Sequence, residues 1–131
     1  MKFLLDVNAL IALGHTAHVH HEKSMRWYRT LKGSKATLCT CAITELGFVR
    51  VAVQAGLQPE IVSARKALSA LKSSGSIPFE ILADGLGVEK LPALARTPAK
   101  PTDGHLPELA RHHHAQLVTL DAGLPGASGL P

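Results

Sequence analysis

Two apolar runs, Phe3-Leu4-Leu5 near one end of the chain and Leu117-Val118-Thr119-Leu120 near the other, each lead directly into a carboxylate, Asp6 and Asp121. Short apolar runs bounded by helical patterns read as strands buried in a parallel sheet, and such sheets collect functional residues at the strands' carboxyl ends. A carboxylate there is poorly placed for bland solvation, because the strand before it is buried. The two runs thus call for a layered α/β arrangement with an acid at the end of its first strand and another at the end of its last.

The stretches between them alternate in type. Ala9 to Leu13 forms a brief helical turn closed by Gly14. From about Thr16 to Leu31, Val19, Trp27 and Leu31 mark the apolar side of an amphipathic helix that ends at Gly33. Ala36 to Cys41 reads as a second strand, and Thr44 as the N-cap of a helix carrying Phe48, Val49, Ala52 and Val53 until Gly56 stops it. Pro59 opens a further helix with Ile61, Ala64, Leu68 and Leu71 at three- and four-residue intervals. Ile77 to Leu82 is a third strand, which Pro78 assigns to a strand beginning or a sheet edge. The Gly- and Pro-rich stretch 84–102 leaves room for one short helix near Val88 to Leu94. Leu106, Leu109 and Ala110 mark the last helix. Pro107 belongs in a first turn, so that helix is expected to start near Gly104 or His105 with Asp103 at or before the cap. After Asp121 no further strand is evident, and the tail from about 125 is expected to be loose. The alternation implies a single domain over residues 1–131, a three-layer α/β/α sandwich around a mostly parallel sheet of four or five strands.

Composition narrows the function classes. With 46% hydrophobic and 18% charged residues the chain is neither disordered nor fibrous. No apolar run approaches the roughly 18 residues needed to span a bilayer, and Asp6 interrupts the N-terminal one, so a cytoplasmic protein is expected. Cys39 and Cys41 are too close for a disulfide and read as small buried hydrophobes. The eight histidines include His15, His18, His20 and His21 in one group and His112, His113 and His114 in another. Consecutive histidines on a helix point about 100° apart, so a zinc site is not supported and solvated helix faces are expected. Gly85-Leu86-Gly87 lacks the third glycine of a dinucleotide loop, and no phosphate-binding Gly-Lys-Ser/Thr occurs. An aspartyl phosphatase would need a second acid where Asn8 stands.

Glu45, just after the second strand, and Asp103, at the start of the last helix, fall at the same sheet edge as Asp6 and Asp121 if the crossovers are right-handed. Four carboxylates in one cleft repel one another and call for a cation, for which hard, oxygen-preferring Mg²⁺ or Mn²⁺ is suited. The ten acids less these four leave six against fourteen Lys and Arg, so the remaining surface is more basic than the formal net charge of +4 suggests. Lys23, Arg26 and Arg29, followed by Lys32 and Lys35, repeat along one side of the second helix, and Arg26 and Arg29 are candidate phosphate contacts.

The stretches 4–13 (Leu-Leu-Asp-Val-Asn-Ala-Leu-Ile-Ala-Leu), 44–51 (Thr-Glu-Leu-Gly-Phe-Val-Arg-Val), Thr102-Asp103-Gly104-His105-Leu106 with Leu109-Ala110, and 117–121 (Leu-Val-Thr-Leu-Asp) resemble, in order and spacing, the PIN domains and within them the VapC-type ribonuclease toxins. The resemblance covers nearly the whole chain. It implies a divalent-metal-dependent endoribonuclease of a type II toxin–antitoxin pair, in which Asp6, Glu45, Asp103 and Asp121 match the family's four acidic positions. Asn8 and Thr119 match polar positions beside the metal. In this reading Asp6 and Asp121 are direct ligands, Asp103 a direct or water-mediated one, and Glu45 a ligand or the group orienting the attacking water. RNA as substrate, a cognate antitoxin and a homodimer are likewise implied. The alternative is a catalytically silent PIN-like module that binds RNA or protein.

Overall fold

The computed structural model describes residues 1–85, 101–120 and 127–129, with the backbone alone at 101–103 and 127–129. Ten elements follow in chain order: β1 (Lys2–Leu5), α1 (Val7–Gly14), α2 (His21–Thr30), β2 (Thr37–Thr40), α3 (Ala42–Gln54), α4 (Ile61–Ser74), β3 (Phe79–Ile81), α5 (Pro101–His112), β4 (Ala115–Thr119) and β5 (Ala127–Gly129). The strands form one parallel sheet in the order β3-β2-β1-β4-β5. The first strand is therefore central, and it pairs on one side with β2 (Leu4 opposite Cys39) and on the other with β4 (Leu5 opposite Val118).

Period-two alternation divides the core between the two faces of the sheet. Phe3, Leu5, Leu38 and Val118 point to one face, where residues of α1, α2, α3 and α4 close over them. Leu4, Cys39 and Leu117 point to the other and meet Leu106, Leu109 and Ala110 of α5. These are the three layers of an α/β/α sandwich. Among the described residues no helix is long and apolar enough to cross a membrane.

Several boundaries differ from the sequence reading, each for a local reason. The helix expected from Thr16 begins at His21, and Val19 is left exposed, while Trp27 packs edge-on against Phe3 at 5.6 Å between ring centroids. Thr44 is not the N-cap of α3: Cys41 holds that position, and the Thr44 hydroxyl accepts the Cys41 N–H at 2.9 Å from the third helical residue. Pro107 does not sit in a first turn either. The helix starts earlier, at Pro101, which suits an N-terminal position, so Pro107 lies inside it and Asp103 in its first turn. The missing amide of Pro107 withholds from the Asp103 carbonyl the hydrogen bond that a helix normally supplies. The tail, read as loose and strandless, contains β5, whose residues lie opposite Leu117, Val118 and Thr119 of β4. A strand of Ala-Ser-Gly offers no apolar pattern to detect; its backbone provides the pairing. The short helix expected near Val88 to Leu94 lies outside the described residues.

Candidate active site

Parallel strands put all their carboxyl ends at one edge, and three helices start from that side: α1 directly after β1, α3 directly after β2, and α5 beyond β3. Helix N-termini carry partial positive charge, which favours acids in their caps and first turns. Asp6 is the N-cap of α1, Glu45 falls in the first turn of α3, and the backbone of Asp103 in that of α5.

Asp6 extends the β1 ladder, donating its N–H to the Val118 carbonyl at 3.0 Å, and then turns the chain into α1. Its Oδ1 accepts the Ala9 amide at 2.7 Å and its Oδ2 accepts the hydroxyl of Thr119, which is fully buried at the end of β4. The carboxylate is thus fixed in orientation by a neighbouring strand as well as by its own helix. Glu45 is held in a parallel way: the buried Thr40 hydroxyl, at the end of β2, donates to Oε2 at 2.5 Å, and Lys72 of α4 donates to the same oxygen at 2.7 Å.

The helices are brought to this edge by close contacts. A Cβ on Gly47 of α3 would come within 2.5 Å of Val7 Cγ2, so α1 and α3 approach next to Asp6 and Glu45 only because residue 47 has no side chain. On the far side of the sheet His105 of α5 pairs with Asp84, three residues beyond β3, at 2.6 Å, which secures the start of α5 at the carboxyl edge.

Of the sequence-predicted residues, Asp6 and Thr119 are in direct contact. Asn8 is exposed on the first turn of α1. The side chain of Asp103 and all of Asp121 lie outside the described residues. Arg26 and Arg29 are exposed on α2, and Arg29 donates to Glu22 on its own helix at 3.1 Å. Among the described residues no three His, Cys, Asp or Glu side chains converge. Two residues were missed by sequence reasoning. Thr40 carries a signal in retrospect, a threonine that ends its strand as Thr119 ends β4. Lys72 carries no such signal, because it meets Glu45 only through the packing of α3 against α4.

Not all the histidines lie on solvated faces. His15 is buried, stacked on Phe48, with Nδ1–H donating to the Ile11 carbonyl at 3.0 Å and Nε2 accepting from the Gln58 amide at 3.1 Å. His21 and His113 donate to the carbonyls of Ala12 and Ala83. These rings serve the frame of the molecule.

The described donors at the edge, the carboxylates of Asp6 and Glu45 with the hydroxyls of Thr119 and Thr40, are all hard oxygens. Such a set suits Mg²⁺ or Mn²⁺ and does not suit a thiolate-seeking metal. Each carboxylate oxygen has two lone pairs, and Oε2 of Glu45 engages two donors, Thr40 and Lys72.

The PIN-domain family model matches residues 3–129. The chain belongs to the PIN-domain family. Relatives of this PIN domain include VapC ribonucleases of Mycobacterium tuberculosis: Ribonuclease VapC38 is 40% identical over 128 residues, covering 92% of this chain and 86% of the relative. Ribonuclease VapC29 is 36% identical over 132 residues, covering 98% and 92%. The crystal structure of M. tuberculosis VapC20, described as a sarcin-ricin-loop-cleaving toxin, superposes with a TM-score of 0.64 at 14% identity, over 93% of this chain and 92% of that one. That likeness establishes the fold, and the closer relatives identify a VapC-type PIN ribonuclease.

Proposed function

We propose that this PIN domain is a divalent-metal-dependent endoribonuclease, the toxin of a type II toxin–antitoxin pair, hydrolysing RNA phosphodiester bonds with an activated water. The observation that carries the reading is the Asp6 carboxylate at the carboxyl end of the central strand, oriented by the Ala9 amide and the Thr119 hydroxyl, in a chain whose relatives are named ribonucleases. Asp6, Asp103 and Asp121 would hold Mg²⁺ or Mn²⁺, with Glu45 a further ligand or the group that orients the water. The chemistry such an ion supplies when bound is a lowered pKa for a water and compensation of charge on the leaving oxygen.

The protein's own part is orientation. Thr119 and Thr40 hold their carboxylates in single poses, so little reorganisation is needed when substrate arrives. Asn8, exposed on the first turn of α1, supports the site, and Arg26 and Arg29 track the RNA backbone. A cognate antitoxin is the proposed protein partner. Between α2 and α4 lies a groove of about 480 Å³, lined in part by Leu13, Met25, Tyr28, Ala67 and Leu71, that fits an amphipathic segment. A homodimer and a cytoplasmic location complete the proposal.

The test is cleavage of RNA in Mg²⁺ or Mn²⁺ and its loss on chelation and in Asp6→Asn. Millimolar Mn²⁺ is expected to raise the wild-type melting temperature and to leave that of Asp6→Asn unmoved, since only a state that binds the ion is stabilised by it. Cleavage persisting in Asp6→Asn, with contaminating nuclease excluded, overturns the site assignment. RNA binding without cleavage in the wild type favours the catalytically silent module.

A further inference from the structure

Glu45 has a full counter-charge, the Lys72 ammonium at 2.7 Å, and the Thr40 hydroxyl converges on the same oxygen, Oε2, at 2.5 Å. The Lys72 and Glu45 side chains are only 31% and 23% exposed, so this pair sits in the wall of the site and not out on a solvated helix face. Its geometry is set from both ends. Glu45 belongs to the first turn of α3, and Lys72 to the last turn of α4, where the helix's free carbonyls favour a cation. The packing of the antiparallel pair α3–α4 brings the two turns together.

An acidic cluster attracts as many cations as its charge requires, and at Glu45 one cation is already part of the chain. A divalent ion drawn to Glu45 would meet the ammonium within a few ångströms, and like charges at that range repel. We infer that Lys72 stands in for a second divalent ion: it neutralises Glu45, limits the acidic edge to one metal ion on the Asp6 side, and leaves Glu45 to orient rather than to ligate. This rests on the metal-dependent reading above, which left the role of Glu45 open between those two.

The inference is tested by counting bound Mn²⁺, through calorimetric titration and through the free-ion electron paramagnetic resonance signal, in the full chain. The wild type is expected to bind one ion per protomer, Lys72→Met two, and Lys72→Arg, which keeps the charge, one. Adding Glu45→Gln to Lys72→Met is expected to return the count to one, which assigns the second ion to Glu45. Far-UV circular dichroism and a cooperative melt verify that each variant is folded, and Lys72→Gln, which also removes the charge and is expected to bind two ions, carries the comparison if the methionine variant is not. Two ions in the wild type or in Lys72→Arg, or a single ion in folded Lys72→Met, overturns the role of Lys72 and leaves metal dependence standing. Failure of the wild type to bind any ion overturns the metal reading itself.

Discussion

Thr119 and Thr40 are hydroxyls at the ends of β4 and β2, the two strands that flank β1; both are fully buried, and each donates to one acid. A buried hydroxyl with a carboxylate acceptor is worth more than a neutral hydrogen bond and is costly to orphan. Replacing Thr119 by Val keeps the shape and removes the donor. Thr119→Val is expected to lower stability by about 1.5–3 kcal/mol and to lower RNA cleavage by roughly 10- to 100-fold, the usual cost of losing a ligand's orienting partner. Urea denaturation and a cleavage rate at saturating metal measure the two effects, and an unchanged rate removes Thr119 from the site. Thr119 was legible through the resemblance to the PIN domains, which have a polar residue at this position beside the metal. Thr40 was not singled out, because its acceptor lies on the following helix and the strand reading ran past it to Cys41. The cysteines behave as the sequence suggested. Burial pushes the Cys39 thiol up to about 11 from its ordinary value of 9.0. The thiolate is the reactive form, so Cys39 is expected to resist iodoacetamide at pH 8 in the folded protein and to react in guanidinium. The folded state holds the proton more tightly than the unfolded one, so this contribution to stability is complete below pH 9 and is lost as pH rises from 9 to 11. The melting temperature of the wild type should therefore fall more across that interval than that of Cys39→Ala.

Contact between elements is governed by a few small or awkward residues. Gly47→Ala raises helix propensity by up to about 1 kcal/mol, yet its Cβ would sit 2.5 Å from a methyl of β-branched Val7, which cannot swing aside within α1. The overpacking term, about 1–3 kcal/mol, is expected to win. Gly47→Ala should therefore destabilise the protein in urea, and adding Val7→Ala should recover most of the loss. Absence of recovery would show that the two helices are not in contact through this pair. The same contact explains why the approach of α1 to α3 could not be read from the sequence: a glycine inside an apolar helical pattern has the same appearance whether it serves packing or not. The prolines divide likewise. Pro78 was read as marking a strand beginning or a sheet edge, and it does both, since β3 follows it and forms one border of the sheet. Pro107 was placed in a first turn by its ordinary preference, but Pro101 occupies that position and the packing of Leu106, Leu109 and Ala110 beneath the sheet carries the helix through the second proline.

At the scale of the whole molecule, the layered α/β architecture was legible from apolar runs alternating with helical patterns, and so was the place of Asp6 and Glu45 just beyond strand ends. The fifth strand and the Lys72 counter-charge were not, being properties of backbone pairing and of tertiary juxtaposition. Fourteen basic residues against ten acidic ones leave a field that favours polyanions, and Arg26 and Arg29 are exposed members of it. Reversing both charges, Arg26→Glu with Arg29→Glu, is expected to weaken RNA cleavage more at low than at high ionic strength, because the lost attraction is screened within about 10 Å at 0.1 M salt. An equal fractional loss at both salts, with the fold intact, would reduce that face of α2 to a solvated surface.

The bond between Asp6 and Thr119 joins residues 113 positions apart, and β1 occupies the middle of the sheet with β4 as one of its two neighbours. Contacts this distant in sequence are slow to form. On the ribosome, then, the first strand is made early but waits for β4: a nascent chain halted anywhere before β4 carries Asp6 without the hydroxyl that aims it. Topology alone thereby ties the orientation of the first strand's carboxylate to the synthesis of a strand more than a hundred residues later.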